Sequence, residues 1–309
     1  MKISVAMATY NGADFITEQL QSILNQTKQV DEVIICDDRS KDNTVEVIEK
    51  FVADNNCADK IKIWINEKNL GYASNFIKAL RKTTGDYVFF CDQDDIWIEN
   101  RVEKMIEKME ENPSIMLLGS EFTSFSSSSD APSVPKWEQK MYTNDQSIER
   151  LSFSPKNIFI GAQGCTMCMR KDFLNRIDKY WYEGWAHDEY VWKLALCLDG
   201  LYMYHSYTLK RRLHSNNVTM RKMRDVKKRI IFLEELLKSH KQTYQFAKDI
   251  GLSKDKLKLL ERNIKAANLR IELLRDKKYF NTIKLLFGYF NCYHKSRSIL
   301  VELKMAIKE

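Results

Sequence analysis

The sequence predicts an α/β fold: a doubly wound, mostly parallel sheet, followed by a helical C-terminal region. Two observations predict it. In the first third of the chain, short apolar runs alternate with helically patterned segments, which implies parallel strands joined by right-handed crossovers. From residue 221 onward the alternation stops and Leu, Phe and Tyr recur at helical spacing among Lys and Arg.

The elements follow in order. "KISVAMATY" is a buried strand, and "DFITEQLQSILNQ" is a helix with Ile16, Leu20, Ile23 and Leu24 on one face. "EVIICDD" is the second strand, "NTVEVIEKFVADN" a helix and "KIKIWIN" the third strand. "YASNFIKALRKTTG" is a helix closed by Gly85, and "DYVFFCD" is the fourth strand. "SFSSSSDAPSVP", residues 124–135, is too rich in Ser and Pro for a packed element. Three helices are expected in the C-terminal region, the second capped by Ser253 and the third covering "YFNTIKLLFGYFNCYHKSRSILVELKMAIKE". The expected domains are 1–220, carrying the sheet, and 221–309, the basic helices.

Composition narrows the function classes. At 44% hydrophobic and 11% aromatic, the chain can bury a large core. No apolar stretch is long enough to span a bilayer and no signal peptide is evident, so a cytoplasmic location is expected. Seven cysteines scattered through apolar segments suit reduced thiols, and the pair Cys165 and Cys168 lacks the partners of a zinc site. Residues 221–309 hold 23 Lys and Arg against 10 Asp and Glu, whereas residues 1–220 hold 26 against 32. The positive charge therefore belongs to the C-terminal helices. They suit an anionic membrane surface, with a bundle packed on the catalytic domain or on a second subunit as the alternative; nucleic acid is the least favoured partner.

In an open parallel sheet, ligands bind beyond the carboxyl ends of the strands. Thr9, Tyr10 and Asn11 end the first strand there, Asp37 and Asp38 the second, and Asp92, Asp94 and Asp95 the fourth. Neither G-x-G-x-x-G nor G-x-x-x-x-G-K-[ST] occurs to cradle a pyrophosphate. A strand-end Asp-x-Asp holding Mn²⁺ or Mg²⁺ can take its place, and the first strand and Asp38 are left to bind a nucleoside.

"VAMATYNG", "VIICDDRSKDNT", "NLGYASNF" and "GDYVFFCDQDD" resemble, in order and spacing, the motifs of family 2 glycosyltransferases with the GT-A fold. The resemblance covers residues 2 to 215 or so. It implies inverting transfer of a sugar from a nucleotide-diphosphate donor. Thr9, Tyr10 and Asp38 would line the nucleoside pocket, with Asn75 near the donor. Asp92-Gln93-Asp94 would be the DxD motif, Asp94 the direct metal ligand and Asp92 nearer the ribose while sharing the metal site; Asp95, at the family's frequent fourth position, would either act directly or cap a helix or support the ligands. "WAHDEYVWKLAL" resembles the element carrying the catalytic base, which assigns that role to Asp188, with Glu189 in reserve. "LKRRLHSNNVT" would supply His214 to the metal and Arg211 to the diphosphate. "HDEYVWKLA" with "RRLHSNN" is similar to bacterial rhamnosyltransferases, although Glu189 and Tyr190 replace the usual aromatics. The implied donor is dTDP-rhamnose, or alternatively a UDP-hexose. The implied acceptor is a growing surface polysaccharide such as a capsule, often lipid-linked, at the inner face of the membrane. "NIFIGAQGCTMCMRKDF" takes the acceptor-side position, where its glycines would let the backbone approach a sugar. A non-catalytic relative would be expected to lose the acids, and a nucleotidyltransferase would begin with a different phosphate loop.

Overall fold

A computed structural model describes residues 1–128, 130–135, 138, 141–215, 225–295 and 297–308. The chain divides into two compact units, Met1–Leu151 with Ile160–Asn217, and Ser152–Phe159 with Val218–Glu309.

The first unit begins with β1 (Ile3–Thr9), α1 (Ile16–Leu24), β2 (Glu32–Asp37), α2 (Thr44–Asp54), β3 (Ile61–Ile65), α3 (Tyr72–Lys82) and β4 (Tyr87–Cys91). It continues with β5 (Ile96–Trp97), α4 (Arg101–Glu111), β6 (Leu117–Ser126), β7 (Ile148–Arg150), β8 (Cys168–Arg170), α5 (Lys171–Ile177), α6 (His187–Cys197) and β9 (Leu201–Leu213). The nine-stranded sheet runs β3-β2-β1-β4-β8-β6-β9-β5, with β7 also on β9. Strands β1 to β4 are mutually parallel. β1, β2 and β4 are buried along nearly their whole length, as parallel strands covered on both faces must be. Beyond β4 the sheet becomes mixed, since β8 is antiparallel to β4 and β6 whereas β9 is parallel to β6.

Register decides where the polar strand ends come out. Thr9 lies beside Asp37 and Met7 beside Cys91, so β1, β2 and β4 finish together and their next residues share one edge. The second half of the sheet adds to that edge. Ile96 on β5 pairs antiparallel with Lys210 on β9, so the chain before β5 and the chain after Lys210 run side by side. This brings Asp94 and Asp95 against Arg211 and Arg212.

Some local expectations change. α3 stops at Lys82, and Gly85 lies beyond it, donating its N–H to Ser4 Oγ at 2.8 Å. A Cβ at Gly85 would sit 2.5 Å from that oxygen, so the glycine serves close approach to β1 instead of closing the helix. The Ser-rich stretch is partly a strand, because β6 continues through Ser126. There Ser124 bonds Glu138 through its N–H and hydroxyl, and Phe125 lies 4.7 Å beneath the Arg212 guanidinium.

The second unit holds α7 (Val226–Asp249), α8 (Lys254–Arg275), α9 (Asn281–Gly288) and α10 (Ser298–Lys308). Leu233, Leu236, Leu273, Leu274, Leu285 and Ile299 form its core. The last expected helix is thus two, separated after Gly288 by a 3₁₀ turn at Phe290–Cys292. Ser253 occupies the N-cap position of α8 without a capping side-chain bond, whereas Asp225 caps α7 by accepting from Lys228 N–H at 2.8 Å. Glu302, 0% exposed, is held by Arg229 and Arg270. No helix among the described residues is long and apolar enough to cross a membrane.

Candidate active site

At the end of β1, Thr9 is buried and its hydroxyl donates to Asp37 Oδ2 at 2.8 Å. Its hydroxyl is therefore committed to the sheet. Tyr10, the next residue, is 41% exposed and offers an aromatic face at the cleft. Its backbone N–H and C=O are both bonded to the Gln93 side chain, at 2.8 and 3.0 Å. Gln93, the middle residue of the Asp-x-Asp triplet, thus clasps the ends of β1 and β4 together. Gly12 makes room for it, since a Cβ there would lie 2.3 Å from Gln93 Oε1.

Asp38 is turned inward. Its carboxylate accepts from Asn66 Nδ2 at 2.8 Å, Leu70 N–H at 2.7 Å and Gly71 N–H at 2.8 Å. Three of its four lone-pair positions hold the 66–71 loop. Asn75 does not reach the cleft. It is 1% exposed, accepts from Asn66 at 2.8 Å and donates to the Cys36 carbonyl at 2.7 Å. Asn75 supports Asp38 through Asn66.

Several side chains from distant parts of the chain meet at the acidic strand tip. His214 Nε2 lies 2.7 Å from Asp94 Oδ2, while the His214 ring packs on Phe15 with centroids 4.8 Å apart. Arg212 donates its N–H to Asp95 Oδ1 at 3.0 Å and its Nε to the Asp94 carbonyl at 2.8 Å, and its guanidinium pairs with Glu18. Arg212 therefore holds the loop in shape. Arg211 is the arginine that acts on the acids, its positive charge opposing the upward shifts of Asp92 and Asp95. Asn217, the last residue of the R-x-H-x-x-N pattern, lies outside the described residues.

Burial, then the charges of Asp94 and Asp95, push the Asp92 carboxyl well above the usual carboxylate range. Burial, then Asp94, push Asp95 up to about 7, even though the Arg212 N–H and the Cys165 thiol both donate to it. So much crowded carboxylate lacks positive charge. Ligand atoms of Asp92, Asp95 and Cys165 lie within 4.8 Å of one another. A hard cation such as Mg²⁺ or Mn²⁺ disfavours sulfur, and burial holds the Cys165 thiol protonated by pushing it well above its ordinary range. Asp92 and Asp94 offer carboxylates and His214 an imidazole, the donor types such an ion accepts.

Asp188 stands in the first turn of α6, near enough to Asp92 to raise it further. Its Oδ1 accepts from Glu189 N–H at 2.8 Å, which leaves Oδ2 for an acceptor. The neighbouring His187 is inside the helix and stacked on Phe76, with ring centroids 3.9 Å apart and planes within 1°. Among the described residues neither of its ring nitrogens has a hydrogen-bond partner, and burial pulls its pKa below the usual imidazole range. It is a neutral packing plate beside Asp188. Glu189 is engaged elsewhere, paired at 2.6 Å with the buried Lys193 ammonium. The glycines of residues 157–173 receive protein: a Cβ at Gly161 would lie 3.3 Å from the Trp192 ring, and one at Gly164 2.8 Å from His187 Nε2 and 3.3 Å from Asp188 Cβ.

Two supporting residues carry no signal of their role in sequence. Gln93 sits where the motif tolerates any residue. Arg101 is fully buried, donating to Thr208 Oγ1 and the Cys165 carbonyl, each at 2.7 Å, with Trp97 at 4.6 Å from its guanidinium. It ties β9 and the Cys165 turn together under the acids.

Comparison with known proteins bears on family and fold. Residues 4–176 match the profile of Glycosyl transferase family 2. The chain is 36% identical over 110 residues to the UDP-Glc:alpha-D-GlcNAc-diphosphoundecaprenol beta-1,3-glucosyltransferase WfgD of Escherichia coli, covering 36% of this chain and 42% of that protein. It is 37% identical over 119 residues to an uncharacterized glycosyltransferase of Methanocaldococcus jannaschii, covering 38% of this chain and 40% of that one. The matched stretch thus spans under half the length of these relatives. In fold, the chain resembles Staphylococcus aureus TarS 1–349 in complex with UDP-GlcNAc, with a TM-score of 0.63 at 16% identity over 100% of this chain and 91% of that one. It also resembles a Pyrobaculum calidifontis mannosyltransferase in complex with GDP-Man and Mn²⁺, with a TM-score of 0.58 at 14% identity over 99% and 87%. A GT-A-like sheet with its acids at the carboxyl edge, and a family match across more than half the chain, identify the protein as a member of glycosyl transferase family 2.

Proposed function

We propose that the protein is an inverting, metal-dependent glycosyltransferase that moves a sugar from a nucleotide-diphosphate donor to a hydroxyl of a growing, lipid-linked surface polysaccharide. The carrying observation is the convergence of Asp92, Asp94, His214, Arg211 and Asp188 from β4, β9 and α6 at one sheet edge. Asp92, Asp94 and His214 would hold Mn²⁺ or Mg²⁺, which when bound supplies positive charge to the diphosphate. The exposed Tyr10 ring offers a face for the nucleobase, and the remaining lone pair of Asp38 can accept an imide N–H.

In the reaction, the acceptor oxygen bonds to the anomeric carbon and its proton passes to Asp188 Oδ2. The bond from that carbon to the diphosphate oxygen breaks, and its electron pair leaves on the nucleoside diphosphate. Arg211 offsets the departing charge. Attack from the face opposite the leaving group inverts the anomeric centre.

Of the two donor classes implied by the sequence, dTDP-rhamnose and UDP-hexoses, the names of WfgD and of the TarS complex support a UDP-hexose. The name of WfgD also supports a lipid-diphosphate acceptor. Incubating the protein with each donor class, with Mn²⁺ or EDTA, and following release of the nucleoside diphosphate tests the reading. Metal-dependent release from one donor supports it, and no release from any donor with or without a lipid-diphosphate acceptor contradicts it.

A further inference from the structure

α9 is built with its polarity reversed. Its buried residues are Asn281, Thr282 and Leu285, of which Asn281 donates to the Leu269 carbonyl at 3.3 Å and to Glu272 at 3.0 Å. Its outward residues are Ile283 at 48% exposure, Leu286 at 40% and Phe287 at 88%, with Phe280 at 66% just before it and Phe290 at 59% just after. At about 100° per residue, Phe280, Ile283, Leu286 and Phe287 fall within roughly a third of the helix circumference. Large side chains scattered singly on a surface need no explanation, but a helix that buries its amides and exposes its phenylalanines does.

The charge around it is mostly positive, although Glu272 and Asp276, just before it, pair with Lys278. From residue 277 to 308 the sequence carries seven Lys and Arg and a single acid, Glu302. Glu302 is 0% exposed and committed to Arg229 and Arg270, so every exposed formal charge on this stretch is positive. Lys284 lies at the edge of the apolar face with its ammonium 5.8 Å from the Phe280 ring, the arrangement of a lysine whose stem follows an apolar surface while its head stays in water.

We infer that this face of α9 docks on an anionic lipid bilayer. An eight-residue helix is about 12 Å long, too short to span a bilayer, and would lie in the interface with its phenylalanines among the acyl chains and its lysines at the headgroups. A second copy of the chain is the poorer occupant. A two-fold contact brings a patch against itself, which would set this predominantly basic surface against its own lysines. The inference stands on the surface of the second unit and is independent of which sugar is transferred.

Co-sedimentation of the full chain with vesicles tests it. On vesicles of phosphatidylglycerol and phosphatidylethanolamine, at least tenfold more protein should bind than on phosphatidylcholine alone, and high salt should reduce the difference. The double substitution Phe280→Ser with Phe287→Ser should lower binding to anionic vesicles at least tenfold, and Lys284→Glu should lower it less. Both changes are at exposed positions, so the thermal transition should stay in place and a folding defect is separable from a binding defect. Failure of the wild-type chain to bind anionic vesicles, or equal binding by the double variant, overturns the inference. A dimer in light scattering that the double variant dissolves, without vesicle binding, overturns it in favour of a second copy.

Discussion

His214 Nε2 and Asp94 Oδ2 stand 2.7 Å apart although 120 residues separate them in sequence. The pairing of Ile96 on β5 with Lys210 on β9 brings the end of β9 beside the Asp-x-Asp tip. On this contact, beside a cluster of raised carboxyls, rests the proposed divalent-cation site. Asp94→Asn should lower transfer at least about 100-fold with an unchanged melting transition. His214→Ala should weaken Mn²⁺ binding by about 10- to 100-fold. Metal titration followed by donor turnover reads both effects.

Asp188 should act only in the chemical step. Asp188→Asn keeps the shape and the bond to Glu189 N–H while removing the basic oxygen, so turnover should fall by about 10²- to 10⁴-fold with donor affinity nearly unchanged. Glu189→Gln should instead appear in stability, because it leaves the buried Lys193 ammonium without its carboxylate. Turnover and donor affinity measured on both variants distinguish base from support.

Gly164→Ala places a methyl 2.8 Å from His187 Nε2, on a ring fixed against Phe76. Overpacking of this kind costs about 1–3 kcal/mol, and here it would also displace Asp188. Denaturant unfolding should show the loss of stability, and turnover should fall further than stability alone explains.

Glu302→Ala removes the buried carboxylate that holds Arg229 and Arg270, leaving two guanidinium groups without it. Breaking such a buried pair costs about 3–5 kcal/mol. Denaturation of the variant should show that loss.

Glu32 governs part of the acid stability. Burial pushes its carboxyl up, but bonds from Ser4, Thr84 and Lys2 outweigh burial and hold it at about 2. A carboxylate lowered on folding contributes stability that is fully present above its unfolded value, about 4.5, and is lost as the pH falls toward 2. Unfolding curves between these pH values should steepen less for Glu32→Gln than for the wild type.

The alternation of apolar runs with helical patterns made β1 to β4, their helices and the polar strand ends legible, because a parallel sheet buried on both faces leaves that trace. The same alternation says nothing about β9, whose bulged pairing with β6 sets where Arg211 and His214 arrive. Side-chain direction was also invisible. Asn75 and Asp38 both occur in motif segments, yet one is buried against Cys36 and the other mostly turned into the 66–71 loop. Gln93 could not be told from a spacer, since its role depends on two bonds to a backbone 83 residues away. In α9, helical periodicity identified an amphipathic segment but not that the apolar face points outward.

On the proposed reading, the acids at the tip of β4 serve a metal-bound nucleotide sugar. Calorimetric titration of UDP- and dTDP-sugars into the wild-type protein and Asp94→Asn, each with Mn²⁺ and with EDTA, tests it most directly. Binding of one donor by the wild type in Mn²⁺ alone, and its loss in Asp94→Asn, is the predicted result. Equal binding with and without metal, or equal binding by the variant, would contradict the claim.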